Sequence, residues 1–238
     1  WLLQERESVA MADEQEDHDT PMLQIGDEFP NLSCPSTSGF IELHDAIANK
    51  WTLLFTTPKD LNAVTTSALA EVSKLKEEFD ARGVEIIALG VDTNMNHRDW
   101  IKETKELTEE KITFPIIVDD SAQISRALGL CRPNEPNIRR SLIPLMLAVV
   151  IDPELKIQLL QYYPVSIGHN FYEILRAIDS MQLSRVHKIA TPANWMVGED
   201  VFIVPDLGRY EAADEFPNGF LEIRSWFRLT GVPESSPN

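Results

Sequence analysis

The residues best placed to do chemistry lie in Phe55–Leu69, FTTPKDLNAVTTSAL, where three hydroxyl side chains follow one another: Thr65, Thr66 and Ser67. A β-type run, Trp51-Thr52-Leu53-Leu54-Phe55, leads through a loop containing Pro58 into a helical pattern that begins near Val64. Strand, turn and helix N-terminus is a common place for reacting groups in α/β proteins, because the first amide N–H groups of a helix stabilise an anion. A cysteine there becomes a reactive thiolate. No cysteine stands there. Helix capping is the better reading of the three hydroxyls, with a bound sulfate or phosphate as the alternative.

The remaining candidates are scattered. Cys34 lies in LSCPSTSG and Cys131 follows Leu128-Gly129-Leu130, with Arg132 the one base beside it. They form no CxxC, so neither a disulfide framework nor a zinc site is indicated, and a structural role outweighs a sensor role for each. A reducing, cytoplasmic setting follows from such cysteine usage. His44 with Asp45 could form a dyad, but a loop or capping role fits better. Arg139-Arg140 fall in a Pro- and Asn-rich loop and read as a solvated turn.

These residues sit in a chain of 238, enough for one domain or one and a half. Hydrophobic content of 43% and charged content of 25% are ordinary for a globular protein. With 38 acids against 21 bases the net charge is −17, which opposes binding to nucleic acid or anionic lipid and favours a basic partner. No apolar run reaches the length of a membrane span. Residues 1–10 read as an extension ahead of Met11-Ala12-Asp13-Glu14, without the character of a secretory signal. The acidic tract Asp13–Asp19 completes a segment, 1–21, expected to be disordered.

Elements that must position the candidates follow from periodicity. Ser38-Gly39 marks a hairpin turn before Phe40-Ile41-Glu42-Leu43, and a short helical segment covers Asp45–Ala48. Ala68, Val72, Leu75 and Phe79 predict one apolar stripe on a helix over 64–81, stopped by Gly83. Residues 84–91 form a doubly covered strand. A second helix over 97–108, capped by Asn96, should turn Trp100, Ile101, Thr104 and Leu107 inward. A strand at 114–118, a short helix at 121–128, a hairpin of 145–151 with 156–162 around Asp152-Pro153, and an amphipathic helix at 170–181 complete an α/β layer arrangement. After Pro192 a small second module begins, with Trp195, Trp226 and a strand at 201–204.

Several segments together carry a family likeness: QIGDEFPNL, PKDLNAVTTSAL, FPIIVDD, YYPVSIGHNFYEILRAIDSMQL and KIATPANWMVGEDVFIVP. From Leu23 to Pro205 the chain resembles the one-cysteine peroxiredoxins of the peroxiredoxin-6 type. The resemblance implies a thioredoxin-like α/β fold, a central mixed sheet with flanking helices, over 22–186. It further implies a C-terminal extension domain over 187–238, a homodimer, and an antioxidant thiol peroxidase needing no cofactor or metal.

Carried over residue by residue, the implied chemistry fails. The family loop reads P-x-x-F-T-P-V-C; here Pro58 remains, Asn62 replaces the Thr, Ala63 replaces the Pro and Thr65 replaces the peroxidatic Cys. The activating Arg position is Met146, a second family Arg is His169, and a family His is Thr57. A hydroxyl cannot form the sulfenic acid on which peroxidase turnover depends. The family's phospholipase-type site also loses its nucleophile: His44 stays, Lys50 stands for the Ser and Glu154 for the Asp. The expectation is a pseudoenzyme acting as a structural or interaction module, in a dimer or larger assembly with a protein partner. The alternative is a residual thiol peroxidase working through Cys34 or Cys131.

Overall fold

The structure, a computed structural model, describes residues 23–130 and 145–233. Two compact units divide between His169 and Asn170. The acidic segment, Cys131, and Arg139-Arg140 lie outside the described residues.

The first unit is built on a seven-stranded mixed sheet of order β2-β1-β5-β4-β3-β6-β7. At its centre lies β3 (Trp51–Thr57), all seven residues of which are buried. It runs parallel to β4 (Val84–Gly90) and antiparallel to β6 (Leu145–Ile151). This is the environment that a near-continuous apolar strand requires, because both faces are covered. β5 (Ile116–Val118) pairs parallel with β4, and β1 (Ser33–Ser36) with β2 (Gly39–Glu42) closes one side as the expected hairpin. β7 (Ile157–Pro164) forms the other edge, paired with β6 around a turn in which the Asp152 carboxylate accepts from Glu154 N, Lys156 N and Gln158 Nε2.

The helices largely follow the apolar stripes. The expected single helix at 64–81 is bent into α2 (Ala63–Lys74) and α3 (Lys76–Ala81). Its hydrogen-bond ladder continues through the bend, from Leu75 N to Glu71 O and from Phe79 N to Leu75 O, so Ala68, Val72, Leu75 and Phe79 stay on one buried face. α4 (Asn94–Thr108) starts earlier than its sequence suggests, because Thr93 and not Asn96 is the cap: Thr93 Oγ1 accepts from the Asn96 backbone N–H, and the Asn96 side-chain Nδ2 donates to Asp92. Trp100 and Thr104 are buried as expected and Ile101 is half-buried, but Leu107 is 76% exposed. α1 (Leu43–Ile47) and α5 (Gln123–Ala127) are single turns or little more.

The second unit begins with α6 (Phe171–Val186), capped by Asn170 and five residues longer at its C-terminus than periodicity alone indicates. A four-stranded antiparallel sheet follows, of order β10-β11-β9-β8, from β8 (Ile189–Ala190), β9 (Val201–Ile203), β10 (Leu221–Arg224) and β11 (Phe227–Thr230). With α7 (Arg209–Glu215) these elements enclose a separate small core of Ile189, Trp195, Val201, Ile203, Leu207, Ala212 and Phe216. Trp195 is buried with its indole donating to Glu199 O, whereas Trp226 is exposed.

Candidate functional site

The parallel pair β3–β4 ends at Thr57 and Gly90, and the chain leaves β3 through buried Pro58 into the loop that starts α2. There Asn62 folds its side chain back over the helix start. Its Oδ1 accepts from Val64 N at 2.9 Å and from Thr65 N at 3.4 Å. Thr66 N donates to Asn62 O at 2.8 Å, the ordinary first bond of the helix. The amides that would hold an anion are therefore engaged by the protein itself.

The three hydroxyls are engaged too. Thr65 is buried and donates to Lys59 O at 2.7 Å and Asn62 O at 3.0 Å. Thr66 accepts from the Trp100 indole at 2.9 Å, and Ser67 donates to Val64 O at 2.7 Å. The Thr65 hydroxyl is given to backbone carbonyls, not to a base, and ties the loop Lys59–Asn62 to the helix. Ala63, beside the Asn62 cap, is the first residue of α2 and contributes no polar group.

Met146 and His169 approach this end of the strands without bringing charge. In the antiparallel pairing Phe55 faces Ala148, and Leu147 N donates to Thr56 Oγ1 at 2.9 Å, so Met146 belongs beside the end of β3. It is fully buried. His169 lies edge-on to Phe55, with ring centroids 6.4 Å apart, and tilted against Tyr163 at 5.6 Å. Burial lowers its pKa to about 4, so the imidazole is neutral at pH 7. Neither a thioether nor a neutral ring supplies the fixed cation that would favour a thiolate or a bound anion.

One buried pair has no local sequence signature. His97 Nδ1 donates to Asp60 Oδ2 at 2.6 Å, joining α4 to the loop before α2 across 37 residues. Burial raises the Asp60 pKa against the opposing hydrogen bond from His97. A Cβ on Gly90 would collide with the His97 ring and approach Thr57 Oγ1, so Gly90 makes room for this pair. Thr57 itself is buried, with its hydroxyl 3.3 Å from Leu89 O. The pair positions the loop.

Cys34, on β1, is buried in the core with Leu43, Ile47 and Ile117. Burial, with Asp119 and Glu42 adding repulsion, pushes its pKa up to about 11. That is the reverse of what a reactive thiol needs. The positions of the second implied site do come near one another: His44 Nε2 is 2.6 Å from Phe29 O, Phe29 N donates to Leu155 O, and Asn49 N donates to Pro153 O. Lys50 there pairs with Glu85 at 3.0 Å, Glu154 caps the neighbouring turn through its own N–H, and no nucleophile is present among them.

Comparison with known proteins places this geometry. Residues 25–160 match the AhpC/TSA family, and residues 180–219 match the C-terminal domain of 1-Cys peroxiredoxin. A 1-Cys peroxiredoxin of Dictyostelium discoideum is 36% identical over 211 residues, 89% of this chain and 86% of that protein. Peroxiredoxin-6 of Gallus gallus is 37% identical over 223 residues, covering 90% of this chain and all of that one. Among solved structures, a cysteine-to-serine mutant of peroxiredoxin 6 from Arenicola marina superposes with a TM-score of 0.81 at 35% identity, over 90% of this chain and 100% of that chain. A yeast mitochondrial 1-Cys peroxiredoxin superposes at 0.83 with 34% identity, over 88% of this chain and 100% of that chain.

Proposed function

We propose that this chain, which belongs to the AhpC/TSA family and within it to the 1-Cys peroxiredoxins, is a non-catalytic member that works as an interaction module. One observation carries the reading. At the peroxidatic position Thr65 donates its hydroxyl to its own loop, while Asn62 occupies the helix amides that would receive peroxide oxygen. Met146 and neutral His169 supply no charge to change that balance. A fold can be kept while its site is rebuilt, and the buried Asp60–His97 pair and the intact sheet are features of a preserved scaffold.

The scaffold acts as a homodimer in this reading. Between Ile157 and Pro164 the outer side of β7 has no backbone partner among the described residues, and an open sheet edge of this length favours addition of a second strand. A cytoplasmic setting accords with buried Cys34 as a free thiol, and no helix among the described residues is long and apolar enough to cross a membrane. Residual peroxidase activity through Cys34 is disfavoured by its burial and raised pKa. Purified protein mixed with hydrogen peroxide and dithiothreitol, glutathione or thioredoxin tests the reading. Peroxide should disappear no faster than in protein-free controls. Turnover that is lost on Cys34→Ser or Cys131→Ser would establish the peroxidase instead.

A further inference from the structure

The non-catalytic reading leaves open what the module would hold, and the groove beside the rebuilt loop bears on that. It lies between the start of α2 and the second half of α4, wholly within the first unit, with a volume of about 780 Å³. Trp100 forms its buried floor, fixed by the bond from its indole to Thr66. Leu61 and Leu107 flank it, 68% and 76% exposed.

Neither leucine is placed for the benefit of this chain's own core. Leu107 continues the stripe of Trp100 and Thr104 along α4, one turn past the point where the protein covers it. Leu61 adopts a left-handed backbone, φ 51°, which costs a branched side chain about 1–2 kcal/mol, with little burial in return. Glu103 and Glu106 stand on the lip, and neither forms an ion pair among the described residues. Among the described residues no lysine or arginine lines the groove, and Lys102 on the same helix is held by Asp99 at 2.9 Å. An apolar slot with an acidic lip on a chain of net charge −17 excludes anionic ligands.

We propose that this groove docks a peptide segment of a partner protein, carrying a bulky apolar anchor flanked by lysine or arginine. The anchor fills the space over Trp100 between the two leucines, and the basic flanks meet Glu103 and Glu106. Buried anchors with charges at the rim are the usual division of labour at such sites: the anchor supplies affinity, and the charges supply orientation and salt dependence. The inference rests on the interaction-module reading above.

The test selects random twelve-residue phage-displayed peptides on the full chain and measures the enriched peptides, fluorescein-labelled, by anisotropy. Enriched sequences should place Lys or Arg beside Leu, Phe or Trp. Their affinity should fall by about tenfold or more in the Glu103→Lys/Glu106→Lys variant, fall similarly in Leu107→Ser, and weaken as salt rises. All three substitutions are at exposed positions, so circular dichroism should show the fold intact. Peptides without basic residues, or affinities unchanged in both variants, overturn the proposal. Dissociation of a dimer by the same variants, seen by sedimentation, also overturns it, because the groove would then belong to a second copy. If no peptide docks while peroxide is still not consumed, the groove proposal fails and the non-catalytic reading stands; if peroxide is consumed, that reading fails first.

Discussion

Thr65 is held by two carbonyls of its own loop, and that arrangement limits what a single substitution can restore. In Thr65→Cys the thiol inherits a helix start already capped by Asn62, with an apolar Met146 and a neutral His169 at the same end of the strands. Stopped-flow measurement should find it reacting with peroxide at the rate of a free thiol, and adding Met146→Arg should lower its pKa where the single change does not. Cys34, with its pKa pushed up to about 11, should resist alkylation by iodoacetamide in native buffer at pH 8 and react on unfolding in urea. His169 makes stability depend on pH. Its folded pKa of about 4 lies below the ordinary 6.5, so the unfolded chain takes up the proton first as the solution is acidified. Its contribution is present above pH 6.5, declines as pH falls toward 4, and amounts to about 3 kcal/mol at the limit. Urea melts across that range should show the decline, and His169→Phe should flatten it.

At the start of α2, Asn62 caps the helix with its own side chain and so strengthens it while engaging its first amides. Asn62→Ala should lower stability by about 1 kcal/mol, read from the urea midpoint at unchanged slope. Leu61 offers the opposite case: Leu61→Asn relieves the left-handed strain and should gain up to about 1 kcal/mol while weakening peptide capture at the groove. Much of this level was legible in the sequence, because strands and stripes are local patterns. The run at 51–55, the stripe of Ala68, Val72, Leu75 and Phe79, and the hairpin around Asp152-Pro153 all stand where their spacing put them. What was not legible depends on distant partners. The exposure of Leu107 depends on how far α2 reaches along α4, and periodicity alone continues the stripe inward. The start of α4 turned on which of two capping residues, Thr93 or Asn96, ends the non-helical chain; Thr93 does, accepting from Asn96 N, and composition does not settle that choice.

Across the whole molecule, the loop between β3 and α2 is braced by Asp60 and His97, residues 37 positions apart that no motif joins. Their contact arises only when β4 sets Gly90 beside α4, so no local pattern announces it. The family resemblance singled out Thr65, Met146 and His169 as positions to inspect. How completely Asn62 and Thr65 close the site was not legible, because that is a matter of side-chain direction. Sedimentation velocity should find a species of twice the chain mass; a monomer at micromolar concentration would remove the role assigned to the β7 edge. The central claim, that the family's peroxide chemistry has been replaced by a self-satisfied loop, meets its most direct test in intact-mass spectrometry after brief exposure of the native protein to equimolar hydrogen peroxide. The account predicts an unchanged mass. Rapid addition of one oxygen to Cys34 or Cys131, reversed by a thiol, would contradict it.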